Sequence, residues 1–256
     1  MLSVKGLKIR FRLLNYFIPA LLFFSPGLII GQDVGDYSAF RKKIAPLIFS
    51  YELEEALAIC NKSDESNREV IASKSMVYSL MGNRDKNDSY IEKGFDLVKP
   101  FSSEKGDYNI LSALALSYGI QANHSGLKKQ VEFSQLSVSY CKEALKLDPN
   151  LPHPNFILGR FYFELSDMSS VTAKVAGTVL DKKEIERASF ELALSYLVKA
   201  SNLVPDRFLY NYYTGEAYNR IGDEDKASFY FHLADKNARH TEDDLKADKD
   251  LAKHLK

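Results

Sequence analysis

Tryptophan is absent from this 256-residue chain, cysteine occurs twice, and glycine and proline number only 13 and 8. So little glycine and proline argues against a turn-rich β architecture and suits a helical one. Charge of either sign is not in excess either, with 34 basic residues against 34 acidic. No basic stripe interleaved with aromatics occurs, which excludes nucleic acid as a natural partner. The chemistry of common active sites is missing as well. His124, His153, His232, His240 and His254 are scattered, and none has metal-ligand spacing. There is no glycine-rich phosphate loop and no Gly-x-Ser-x-Gly elbow. The acidic clusters Asp223-Glu224-Asp225 and Asp243-Asp244 fall at predicted helix starts, where carboxylates favour the helix dipole. The chain is therefore expected to be no enzyme, with no metal and no cofactor.

What is present is an ordinary globular balance, 45% apolar and 27% charged, preceded by an unusual start. Lys5, Lys8, Arg10 and Arg12 come before the apolar run LLNYFIPALLFFSPGLII, the order of an export signal. Small Gly31 suits cleavage before Gln32, and no cysteine lies there to carry a lipid. The alternative is that residues 11–30 stay as a membrane anchor, since the run is nearly long enough to span a bilayer. Residues 1–31 are thus read as a signal peptide or anchor and 32–256 as the folded domain. Without the leader the balance is 30 basic to 34 acidic, a net charge of −4. A leader ending in Gly-Gln resembles those of exported proteins in Bacteroidetes-type bacteria, which implies a periplasmic destination.

The domain repeats. Residues 208–241, FLYNYYTGEAYNRIGDEDKASFYFHLADKNARHT, read as a helix with small Gly215 and bulky Tyr218, a turn at Gly222-Asp223, and a helix with Ala227, Phe231 and Ala234. EALKLDPN at 143–150 and KASNLVPD at 199–206 end two earlier second helices. Ala200 lies 34 residues before Ala234, whereas Ala144 to Ala200, Gly159 to Gly215 and Pro149 to Pro205 are each 56 apart. The shared excess of 22 marks one insertion inside one repeat. This pattern resembles the tetratricopeptide repeat (TPR) family. Alanine and glycine let helices approach, aromatics fill the space opposite, Gly-Asp turns, and proline ends the unit.

Earlier units follow more loosely. Residues 37–62 read as a first hairpin with YELEEALAICNK as its second helix. Residues 68–101 read as another, turning at Gly82-Asn83, with Asn87 in place of the usual alanine and looser packing expected there. Residues 108–150 form a third, lengthened by a loop around GIQANHSGLKKQ. Cys60 and Cys141 fall on second helices two repeats apart, roughly 20 Å at about 10 Å per packed helix. That exceeds the reach of a disulfide, about 7 Å between Cα atoms, so both read as small core residues. The tail TEDDLKADKDLAKHLK opens on Thr241 and Asp244, a variant capping box, and its Leu245, Leu251 and Leu255 suit a polar end cap. The fold expected is all-α, a right-handed TPR-like solenoid of helical hairpins with an inserted apolar helix and a C-terminal capping helix.

The insertion is distinctive. HPNFILGRFYFELSD, then AKVAGTVL, then a helix ending YLVKASNLVPD, resembles the regulator of microtubule dynamics family, as does the rest of residues 140–256. The resemblance implies an all-helical repeat domain, often membrane-anchored, that acts through partners. Eukaryotic relatives are linked to microtubules and organelle contacts, and some to phospholipid binding. The microtubule role would follow only for a eukaryotic chain. Within residues 170–180, Val171, Val175 and Val179 fall on one helical face, which must pack against something. The stripe either fills a wedge in the solenoid or roofs a pocket on its concave side. A third reading lays it on a membrane.

First helices line the concave face of such a solenoid. Their phase places Asn109, Ser112 and Leu116 there, then His153, Phe156, Arg160 and Phe163, then Tyr212, Glu216 and Asn219. The leading expectation is a non-catalytic scaffold in the cell envelope that binds a partner protein or peptide in this groove. The alternative is a carrier or sensor of an apolar ligand such as a lipid.

Overall fold

The computed structural model describes residues 38–168 and 182–255. Among them are twelve α-helices, one short 3-10 helix and no strand. Five helical hairpins follow one another: α1 (Ala39–Phe49) with α2 (Leu53–Asn61), α3 (Arg68–Asp85) with α4 (Asp88–Val98), and α5 (Tyr108–Asn123) with α6 (Leu127–Leu147). Then come α7 (Pro152–Asp167), a short α8 (Lys182–Arg187) and α9 (Phe190–Leu203), of which α7 and α9 pair. The last hairpin is α10 (Phe208–Ile221) with α11 (Glu224–Lys236), and α12 (Glu242–His254) packs on both. The first helices α1, α3, α5, α7 and α10 neighbour one another as an inner layer. No described helix is long and apolar enough to cross a membrane.

The repeat spacing has a physical counterpart. A Cβ added at Gly159 would meet Leu197 Cγ at 2.6 Å, and one added at Gly215 would meet the Phe231 ring at 2.7 Å. Leu197 and Phe231 are one 34-residue period apart, so one crossing is built twice, with glycine as the hole and a large side chain as the knob. The turns repeat too. The Asn155 amide donates to the carbonyl of Pro149 at 2.9 Å, and the Asn211 amide to that of Pro205 at 2.6 Å. Ala144, Ala200 and Ala234 are fully buried, as the helix crossings require. Cys60 and Cys141 are free and buried in α2 and α6. Burial pushes the Cys60 thiol up to about 11 and the Cys141 thiol higher still, so neither is a thiolate at neutral pH.

Several sequence expectations are corrected. Gly82-Asn83 is no turn: α3 runs on to Asp85 and ends at Lys86, whose left-handed backbone (φ 54°) returns its N–H to the Gly82 carbonyl. Gly82 instead lies against Ile91, because its missing side chain lets α4 approach. Asn87 is not a packing position but the N-cap of α4, accepting from the N–H groups of Ser89 and Tyr90. The extended loop after α5 shrinks to residues 124–126, and the extra length goes into α6. Tyr51 and Glu52 precede α2 rather than opening it. Thr241 and Asp244 do form a capping box on α12, but Leu245 is exposed, while Ala247 and Leu251 carry the packing. The stripe Val171, Val175 and Val179 lies outside the described residues, as do residues 1–31.

The two ends of the domain meet. Tyr51, in the turn of the first hairpin, stacks on His240 just before α12, with ring centroids 4.9 Å apart. The Arg207 guanidinium lies over the other part of this contact, 4.3 Å from the Tyr51 ring. Lys86 pairs with Glu242 at 2.8 Å. Tyr51 (φ 62°) and Lys86 are the two non-glycine residues with left-handed backbone among those described. Both make these closing contacts, so the strained positions are where the first two hairpins meet the C-terminal end of the domain.

Candidate functional site

Closure turns the concave face into a cavity of about 530 Å³. Its walls come from α3, α5, α6 and α7, with Leu80, Leu116, Ile120, Val138, Phe156 and Ile157 among them. Along α7 the lining stripe includes His153, Phe156, Arg160 and Glu164, at the three- and four-residue spacing of one helical face. The ends differ. Exposed or half-buried Asn83, Asn123, Gln130 and Glu164 mark the open side. Tyr51, His153, Arg207, Leu209 and Tyr210, all buried, form the floor.

The floor is electrostatically unusual. Arg207 is only 6% exposed; the charge of the buried Asp244 carboxylate favours its cationic form, and its Nε has no hydrogen-bond acceptor. It lies near the aromatic rings of Tyr51 at 4.3 Å and Tyr210 at 5.9 Å and hydrogen-bonds the Tyr51 side chain. His153 Nδ1 lies 2.8 Å from the Tyr210 hydroxyl. Burial, with the Arg207 charge nearby, pushes the His153 imidazole down to about 3, so the ring is neutral at physiological pH. With the Tyr210 hydroxyl donating to Nδ1, we assign the ring proton to Nε2, which has no acceptor. The other cation of the cavity, Arg160, reaches Glu164 at 3.7 Å and Asp243 at 3.5 Å.

Of the groove residues expected from sequence, Leu116, His153, Phe156 and Arg160 line this cavity. Asn109 and Ser112 line a small adjoining space of about 50 Å³, which reaches His153 from the α1 side. The other four lie elsewhere. Phe163 is buried against Phe190 and Tyr213. Tyr212 and Glu216 are covered by α12: the Tyr212 hydroxyl donates to Asp250 at 2.9 Å, and Glu216 pairs with His254 at 2.6 Å. Asn219 is exposed. Only the first turn of α10 reaches the cavity, because the capping helix takes the rest of that face. Glu216, Asp250 and His254 bring their ligand atoms within 4.8 Å of one another, the one such group among the described residues. Their side chains are already engaged in holding α12 to α10. Sequence reasoning missed Tyr51, Arg207 and Tyr210. One signal was available: 56 residues before Arg207, the same N-cap position is held by buried Leu151.

A model of the family described as regulator of microtubule dynamics protein 1-3 matches residues 40–256. Regulator of microtubule dynamics protein 3 of Rattus norvegicus is 28% identical over 151 residues, 58% of this chain and 32% of that protein. Regulator of microtubule dynamics protein 2 of Homo sapiens is 26% identical over 140 residues, 54% of this chain and 34% of that protein. The aligned part is thus about a third of the length of these relatives. Among solved structures, a thermophilic TPR protein of Thermus thermophilus superposes with a TM-score of 0.51 at 14% identity, covering 85% of this chain and 99% of the other. That likeness establishes the TPR-like helical fold.

Proposed function

Since the chain belongs to the regulator of microtubule dynamics protein 1-3 family, a helical-repeat scaffold of the kind that binds proteins, we propose that it is a non-catalytic module holding a short segment of a partner in its concave cavity. The observation that carries this reading is the cavity itself. Its volume of about 530 Å³ lies within the range of ligand pockets, and its walls are mainly apolar. At its open side the amides of Asn83, Asn123 and Gln130 can both donate to and accept from a peptide backbone. The buried lining would take the side chains. An extended partner lying across an open groove is disfavoured, because Tyr51 and Thr241 close the deep end. The proposal places the module in the cell envelope on the strength of the basic-then-apolar run of residues 1–31. A role at microtubules has the relatives' names as its support.

The test is a pool of free-ended decapeptides derived from the host proteome, passed over the folded protein. We expect a subset to be retained, and Ile157→Trp, which fills the cavity from a half-buried position, to weaken that retention about tenfold or more, as loss of one well-packed contact region would. Retention unchanged by Ile157→Trp, or no retention of any peptide, overturns the reading.

A further inference from the structure

The end of the capping helix presents ligand atoms to its neighbour. Asp250 and His254 are four residues apart on α12 and so share one of its faces. Glu216 of α10 meets them there, and the three side chains each bring a ligand atom within 4.8 Å of the others. Two of these atoms, Glu216 Oε1 and His254 Nε2, are 2.6 Å apart. Ligand atoms around a four-coordinate zinc ion lie about 2.0–2.2 Å from it, and hence roughly 3.3–3.6 Å from one another. The pair at 2.6 Å and the outer limit of 4.8 Å bracket that spacing, so rotation of the side chains alone can reach it.

The buried member of the set lacks a hydrogen bond at the atom it contributes. Glu216 is 5% exposed, and its Oε1 is buried without one: His254 Nε2 is near but off the hydrogen-bonding direction. Its other oxygen is 4.0 Å from Arg220, whose guanidinium is taken by Asp167. Burial pushes the Glu216 carboxyl up; the His254 charge opposes this, and the Asp250 charge adds to it. A histidine neutralises such a carboxylate only when protonated. A divalent ion takes the neutral ring as a ligand and supplies the charge itself. The surroundings hold the other two ligands. The Tyr212 hydroxyl donates to Asp250 Oδ2 at 2.9 Å, and the Phe231 ring stacks on the His254 imidazole with centroids 4.3 Å apart. Partners of this kind orient ligands around a bound ion. Lys253, which pairs with the other Asp250 oxygen, is well exposed and can swing away.

We propose that Glu216, Asp250 and His254 form a zinc site that fastens the end of α12 to α10. One imidazole beside two carboxylates suits zinc, whereas magnesium and calcium ask for about six or more oxygen ligands. Asp250 and His254 are partly open to solvent, which gives the ion a way in and leaves water for its fourth position. None of the three residues lines the cavity, so the site is separate from the partner site and its role is structural. It bears on the cavity through α12, which carries at its start Glu242 on Lys86 and Asp243 on Arg160. An ion at one end of α12 therefore steadies the contacts that close the domain at the other. The histidines give no hint of this in sequence, because two of the ligands are carboxylates and Glu216 comes from another helix.

The experiment takes protein stripped with EDTA and titrates it with zinc sulfate in a calorimeter. We expect one ion per chain and, at about a hundredfold excess over Kd, a melting temperature raised by about 5–10 °C. Asp250→Asn and His254→Phe, the latter keeping the stack on Phe231, should each weaken zinc binding about 100-fold, and Tyr212→Phe about tenfold by releasing Asp250. Lys253→Ala leaves every ligand in place, so binding should hold or tighten. Melting each variant in EDTA separates loss of the metal from loss of ordinary contacts, because only the zinc-dependent rise reports the site. Where a ligand variant fails to fold, the opposite responses of Tyr212→Phe and Lys253→Ala decide the matter. Absence of zinc uptake at millimolar concentration, or uptake that the ligand variants leave unchanged, overturns the inference. Equal affinity for magnesium sulfate overturns it too, since that is how acidic side chains at large behave.

Discussion

Gly159→Leu will destabilise the domain by about 3 kcal/mol or more, near the upper end of overpacking costs. The first carbon of any side chain at this position would lie 2.6 Å from Leu197 Cγ and 3.0 Å from the Leu197 backbone nitrogen. A flexible side chain could swing aside, but backbone cannot, so α7 and α9 must separate. Separation uncovers Leu158, Tyr162, Ala193 and Leu197, which belong to one buried cluster. Urea titration gives the change in stability. Ser195→Leu, on the exposed side of α9, is the control and should move it by less than about 0.5 kcal/mol. Equal small effects at both positions would mean that the repeat crossing is not where the 34- and 56-residue spacings put it.

The second large effect is acid sensitivity through His153. Its folded value of about 3 lies below the ordinary value of 6.5. The folded state therefore holds the neutral ring, and the unfolded chain takes up the proton first. Stability is full above about pH 6.5 and falls as the pH drops from there toward 3. At about 1.4 kcal/mol per pH unit, roughly 2–3 kcal/mol is lost by pH 4.5 from this one group. Carboxylates held low by partners, such as Glu54 and Asp85 beside Arg84, add further acid lability. His153→Phe isolates the histidine, because it keeps an aromatic ring against Phe49, whose centroid is 5.0 Å away. Between pH 7 and 4.5 the variant should lose about 2–3 kcal/mol less than the parent. Parallel pH profiles would show that the His153 ring is solvated in the native state.

The fold was legible where packing is periodic. Gly159, Gly215, Ala200 and Ala234 announce helix crossings because only small residues fit there, and the spacings among them locate the insertion. Turns were legible only where the residue type matches the conformation. Gly222, with φ 79°, ends α10 as the sequence indicates. Lys86 adopts the same left-handed region with no such signal, and the nearby Gly82 drew the turn to the wrong place. The site was half legible for a similar reason. Leu116, His153, Phe156 and Arg160 follow from the face of a first helix. Tyr51 and Arg207 belong to a turn and a helix cap in the first and last repeats, more than 150 residues apart in sequence. No local pattern can bring them together. They meet because the superhelix closes, and that depends on the summed geometry of every hairpin between them.

Closure is also the premise of the cavity, and Lys86 and Glu242 report it directly. Their side chains are exposed enough for a reagent to reach, and their charged atoms lie 2.8 Å apart. A zero-length carbodiimide joins an amine to a carboxylate only when the two are in contact. Applied to dilute protein and read by mass spectrometry of the digest, it should yield an intramolecular Lys86–Glu242 amide. That product should disappear in urea and in Glu242→Gln. If the folded protein gives no such product while the neighbouring pair Lys246–Glu242, 3.4 Å apart on one helix, does react, then the two ends do not meet and the concave face is an open groove.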